Sequence, residues 1–397
     1  MRTYAFLPFL LLLFLFSSCS KSNDSINSYI GFDIPIDTID TYLSQKMDDL
    51  DIPGLSIAFI EDGQIVHHKT MGYASKEDQT PVTEKTIFEA ASLSKSVFAF
   101  FVMTYVDTGK LDLDRPLYEY MPYPDIAHDE RYKIITARMV LSHRSGFPNW
   151  RTDFPEKKLF ISFEPGSEFL YSGEGYQYLA KVLKQIDNTD WAGLEKKFQD
   201  VVCKPLNMKH TVFIQDAYSK LHKAEPYDEN GIWINPERDF DQNVRKQFIA
   251  PASIHTEPLD FSKWMIGLMN SAILSPESYD EMFEAHSFVD KYNGIGVDYT
   301  LGFYNPKIPF TNLYSHGGNN YGFTAFFTLD PKKKWGFVLF TNSEYGEQLG
   351  GDLTLYMLAG PDYTKLYIIV GVIVLCILIG IVVGLRKLIQ FVKKKRS

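Results

Sequence analysis

Ser92 and Lys95 stand three residues apart in Ala90-Ala91-Ser92-Leu93-Ser94-Lys95-Ser96-Val97-Phe98-Ala99. Spacing of three puts two side chains on one helical face, so a hydroxyl and an amine can meet there. A serine is a weak nucleophile at its free pKa and needs such a neighbour. The chemistry available to this pair is attack on a carbonyl, with the serine becoming acylated. The apolar run Val97, Phe98, Phe100, Phe101, Val102 and Met103 follows without Pro or Gly. The pattern predicts a helix that opens at Ser92 and ends near Gly109. Ser92 can cap its first turn, and the positive end of the helix dipole favours negative charge developing on the serine. Taken alone, the four residues also read as a capped helix with a solvated lysine, and Ser18-Cys19-Ser20-Lys21 repeats the pattern.

Two further clusters decide between these readings. One is Pro165-Gly166-Ser167-Glu168-Phe169-Leu170-Tyr171-Ser172-Gly173, and the other is Ser315-His316-Gly317-Gly318-Asn319-Asn320-Tyr321-Gly322-Phe323. The elements that must position them come from periodicity. Ile36, Ile39, Leu43, Met47 and Leu50 recur at helical spacing, and Pro53-Gly54 stops that helix. Residues 55–60 and 64–70 flank Asp62-Gly63, a hairpin signal. Residues 110–270 read as mostly helical and loop-rich. Strand patterns return at 301–304, 323–329 and 336–340, and 350–358 reads as a closing helix. Strands at both ends with helices between them imply an α+β fold. One antiparallel sheet is formed by N- and C-terminal segments, with helices on its faces and an inserted, mainly helical lobe.

The three clusters, in this order, resemble the signature elements of the serine β-lactamase and penicillin-binding protein superfamily, in its class C β-lactamase, D-aminopeptidase and esterase branch. Ile52-Pro53-Gly54, residues 109–114, Leu141-Ser142-His143-Arg144-Ser145-Gly146 and Pro205-Leu206-Asn207-Met208 are similar to that group's framework. The resemblance implies a β-lactamase/transpeptidase-like domain over residues 36–360. It implies that Ser92 is the acylated nucleophile, that Lys95 holds its hydroxyl ready, and that Tyr171 serves as general base and then acid, with its pKa lowered by Lys95. The backbone N–H groups of Ser92 and Asn319 would form the oxyanion hole. His316 and Gly318 stand at the first and third positions of the superfamily's Lys-Thr-Gly. Gly173 stands where the β-lactamases carry an Asn that holds the substrate's amide. These two departures weaken recognition of an amide and carboxylate pair, and so favour small esters, amides or D-amino-acid peptides over efficient antibiotic hydrolysis. No metal and no cofactor is implied. The alternative reading is a catalytically idle penicillin-binding-like protein that senses or holds cell-wall fragments. Binding alone has no need of an activated serine. His143 and Ser145 read as braces of a loop through hydrogen bonds to backbone.

The chain has 397 residues with a net charge of −9, which argues against nucleic acid as a partner. Residues 1–18 read as a signal peptide, with Arg2 followed by a short apolar run. Cys19 resembles a lipidation site, followed by a tether over 19–35. Residues 366–385 carry no charge, have the length of a transmembrane helix, and are followed by the basic tail 386–397. These features predict a lipoprotein of the cell membrane with its catalytic domain outside the cytoplasm and its tail inside. Its partners would be the membrane and a small-molecule or peptide substrate, peptidoglycan fragments included. Three cysteines allow no disulfide framework, and Cys203 reads as a buried thiol.

Overall fold

The structure is a computed structural model that describes residues 24–235, 247–292 and 294–361. The hairpin signal at Asp62-Gly63 is realised by Gly54–Glu61 and Gln64–Ser75. Asp62 and Gly63 take φ of 49° and 71°, the left-handed pair that a two-residue turn between twisted strands requires.

In chain order the strands are β1 (Ser25–Asn27), β2 (Asp33–Pro35), β3 (Gly54–Glu61), β4 (Gln64–Ser75), β5 (Thr80–Pro81), β6 (Phe88–Glu89) and β7 (His255–Thr256). They continue as β8 (Ser287–Tyr292), β9 (Ile295–Tyr299), β10 (Tyr304–Pro306), β11 (Tyr314–Asn319), β12 (Thr324–Asp330) and β13 (Trp335–Thr341). Nine of them form one antiparallel sheet in the order β5-β4-β3-β13-β12-β11-β10-β9-β8. N-terminal and C-terminal segments therefore meet inside it, where Ile60 is registered with Gly336.

Alternation along the strands sorts side chains to two faces. Leu55, Ile57 and Phe59 join Phe337 and Leu339 beneath the opening helix Ile36–Asp49 and the closing helix Gly346–Ala359. Ala58 and Ile60 join Val338 and Phe340 on the other face, in the core shared with the helix Pro258–Met269 and the helical lobe. The helix Ser94–Asp107 is apolar nearly all round and lies inside that second core, as such a helix must. Phe98 and Phe101 pack on Phe248, and Phe100 packs edge-on against Trp264. The α+β architecture matches the expectation, and the helix that follows Ser92 is buried.

Four expectations are corrected. Residues 24–35 are part of the domain: Ile26, Tyr29 and Ile34 are buried, and Tyr29 donates to Asp330 at 2.6 Å. β8 and β9 were missed, and the strand expected at 301–304 is β10, which begins at Tyr304. The closing helix starts at Gly346, four residues before the expected position. The C-terminal transmembrane helix is withdrawn from the fold class, because among the described residues no helix is long and apolar enough to cross a membrane. The segments 1–18 with Cys19, 366–385 and 386–397 lie outside the described residues.

Candidate active site

Ser92 lies in a 3-10 turn, Ala91–Leu93, just ahead of the helix Ser94–Asp107. Ala91 is held at φ 46°, the left-handed region that an alanine enters at a cost of about 1–2 kcal/mol per residue. That sharp turn leaves Ser92 reaching the pocket while Ala91, Leu93, Ser94 and Lys95 stay buried. Ser92 is not a helix cap, since no side-chain cap bond is made there.

The Lys95 amine donates to Ser92 Oγ at 3.1 Å and to the Pro251 carbonyl at 3.0 Å, and it lies 4.5 Å from the centre of the Tyr171 ring. Lys95 forms no ion pair among the described residues. Burial in such a place penalises the ammonium and brings its pKa down to about 7. Near neutrality a large share of the amine then carries a lone pair.

Tyr171 faces the cavity that Ser92 also lines. Burial, reinforced by Tyr304, holds its phenol well above the ordinary value. The expected lowering by Lys95 is thus reversed: the cost of placing a phenolate out of water outweighs the nearby amine. At rest Tyr171 is a proton donor. Its place follows from its successor. Ser172 caps the helix Gly173–Ile186 by accepting from Gly175 N at 3.0 Å, and its own N–H donates to His143 Nδ1 at 3.0 Å. The His143 ring packs 4.3 Å from that of Tyr171. His143 is therefore a positioning residue, with its Nε2 buried and without a hydrogen-bond partner among the described residues. Ser145 braces the same loop by accepting from Phe147 N at 3.3 Å.

Strand β11 supplies the facing wall. It pairs with β10 at Tyr304–Ser315, so residues beyond Ser315 present an edge toward Ser92. A Cβ on Gly318 would meet the Ala90 carbonyl oxygen at 2.7 Å and the Ser92 nitrogen at 2.8 Å. Glycine is required there for the strand to close on the nucleophile turn. We expect Gly318→Ala to fold, by circular dichroism, while ester turnover falls about 10²–10³-fold, the cost of losing one oxyanion donor. Unchanged turnover would remove the strand from the oxyanion site.

Asn319 contributes backbone to this wall, because its side chain is engaged with Glu344 at 2.6 Å and with Tyr321 N at 2.9 Å. His316 is buried, bonded to Tyr299 Oη at 3.1 Å through Nε2 and to the Gly317 carbonyl at 2.6 Å through Nδ1. Burial, with Lys95 nearby, brings its pKa down to about 3, so it is neutral and offers a substrate carboxylate no charge.

Gly173 is not among the residues that line the Ser92 cavity. A Cβ there would meet the Asn149 carbonyl oxygen at 2.9 Å and the Trp150 ring at 3.1 Å, so Gly173 serves close packing. Its expected role opposite a substrate amide is corrected accordingly. The cavity, about 460 Å³, is lined by Ser92, Tyr171, Tyr304, His316, Phe326 and Glu347, with Ser315, Gly317 and Asn319. Tyr304, Phe326 and Glu347 escaped the sequence reading. Glu347 sits in the first turn of a helix whose start was placed too late.

A nine-stranded antiparallel sheet with an inserted helical lobe, and a serine, lysine and tyrosine gathered at its strand edge, define a protein of the β-lactamase/transpeptidase type. The chain belongs to the β-lactamase family, whose family description, Beta-lactamase, matches residues 39–360. Protein flp of Staphylococcus aureus strain MW2 is 25% identical over 335 residues, which cover 78% of this chain and 64% of that relative. The chain thus spans less than two thirds of the length of the curated relatives it matches. Among solved structures, the octameric penicillin-binding protein homologue from Pyrococcus abyssi superposes with a TM-score of 0.70 at 24% identity, covering 82% of this chain and 77% of its own. EstCE1, a hydrolase with promiscuous acyltransferase activity, gives 0.69 at 21% identity, covering 81% and 97%. At such identities the likeness establishes the fold.

Proposed function

We propose that this chain is a serine hydrolase that works through an acyl-enzyme on small esters, amides or D-amino-acid peptides. The observation that carries this reading is the 3.1 Å contact from a buried, unpaired Lys95 amine to Ser92 Oγ. The neutral amine takes the Ser92 proton as Oγ bonds to the substrate carbonyl carbon. Negative charge passes to the carbonyl oxygen, which the N–H groups of Ser92 and Asn319 receive. Tyr171 then gives its proton to the leaving oxygen or nitrogen as that bond breaks, and it is reprotonated by the Lys95 ammonium. Water repeats the sequence on the acyl-enzyme and returns the proton to Ser92. The leader-like residues 1–18 support work outside the cytoplasm.

The pH dependence tests the base. Since Lys95 is competent when neutral, kcat/KM for p-nitrophenyl butyrate should rise tenfold per pH unit below about 7 and level off above it. A profile flat from pH 5 to 9 would take Lys95 out of the base role.

A further inference from the structure

Glu347 lines the same cavity as Ser92 and Tyr171. It lies in the first turn of the closing helix Gly346–Ala359, where an acidic residue commonly caps backbone N–H groups. Glu347 does not do so. The Gly346 N–H is taken by Thr324 Oγ1 at 2.6 Å, and no side-chain cap bond is present. The Glu347 carboxylate instead lies over the strand edge. A Cβ on Gly317 would come within 2.7 Å of its carboxyl carbon and 2.9 Å and 3.0 Å of its two oxygens. The first glycine of His316-Gly317-Gly318 thus makes room for this carboxylate.

The group has no partner in that position. It forms no hydrogen bond and no ion pair among the described residues, and no Lys or Arg lines the cavity. The neighbouring Glu344 adds a second negative charge, held in place by Asn319. Partial burial and that charge raise the pKa of Glu347, and its own charge is felt at Tyr171 and Tyr304. A carboxylate left unpaired on a cavity wall favours an incoming cation. The other walls suit one too: Tyr304 and Phe326 offer aromatic rings, whose faces attract ammonium groups.

We propose that Glu347 is a specificity-determining residue that selects substrates carrying an ammonium group and turns away those carrying a carboxylate at the same place. The inference rests on the serine-hydrolase reading for the cavity that substrate enters, and it names the substrate class.

The test uses two isosteric esters, butyrylcholine and 3,3-dimethylbutyl butyrate, which differ in one positive charge. Their binding is measured by calorimetry on the full-length Ser92→Ala protein, where turnover does not interfere. We expect butyrylcholine to bind at least tenfold more tightly at low salt. The ratio should fall toward one when Glu347→Gln is added and should drop below one with Glu347→Lys. Equal binding of the two esters, or a ratio that Glu347→Gln leaves intact, overturns the proposal. Hydrolysis by the unmodified protein is read separately: failure to turn over either ester counts against the serine-hydrolase reading and leaves the binding ratio to decide the role of Glu347.

Discussion

Ser92→Ala should abolish covalent labelling by a fluorophosphonate and lower ester turnover on the order of 10⁶-fold, the scale seen when the nucleophile of an acyl-enzyme hydrolase is removed. The expectation follows from geometry. Ser92 is the hydroxyl that Lys95 contacts, it shares a cavity with Tyr171, and it stands on a turn held at an unfavourable φ. The substitution removes one oxygen from a half-buried position, so the fold should survive. Intact-mass measurement after inhibitor treatment should show one adduct on the unmodified protein and none on the variant. An adduct that persists would place the nucleophile elsewhere.

Lys95→Met should lower turnover by about 10²–10⁴-fold, the usual worth of general acid–base catalysis, and should also change how stability varies with pH. The folded-state pKa of Lys95 is about 7, against an ordinary value of 10.5. Between those two values the unfolded chain binds a proton that the folded protein does not, so stability rises with pH across this window. Converted at 1.36 kcal/mol per unit, the full rise is roughly 4–5 kcal/mol. Below about pH 7 both states are protonated and the contribution no longer varies. Urea unfolding at pH 7, 8 and 9 should show this slope in the unmodified protein and a reduced slope in Lys95→Met. Equal slopes would mean that Lys95 stays charged in the folded protein, and the neutral-amine mechanism would fail with it.

Much of the fold was legible in local pattern. The Asp62-Gly63 hairpin, the helix from Ser94 and strands β12 and β13 each carry their signal within a few residues. The pairing of Ser92 with Lys95 is of the same kind, being one turn of chain. Tyr171 and β11 were legible through motif order. What sequence could not carry is the medium around a group. Lys95 and Tyr171 sit in contact, yet burial shifts one pKa down and the other up, and burial belongs to the packed molecule. Gly173 was misread for a similar reason: its neighbours Asn149 and Trp150 lie more than twenty positions away. Strands β8 and β9 hid because all but Tyr299 of their residues are exposed or half-buried and they include Asp290, Lys291 and Asp298, which dilute the apolar alternation. Residues 24–35 looked like a tether because their anchors, Asp330 and Trp335, come from the far end of the domain.

The pairing of an early strand with a late one inside the sheet has a consequence for biosynthesis. Ser92 is made early, but the strand that closes on it and the inner strand β13 are made late, and β13 must slot beside β3. Pairings between such distant segments are slow to form, because a long loop has to close first. A ribosome-bound or truncated chain holding the helical lobe alone has the nucleophile without its wall. On the serine-hydrolase reading, the Ser92 turn would gain its facing strand only after β11 has been made and paired in the sheet.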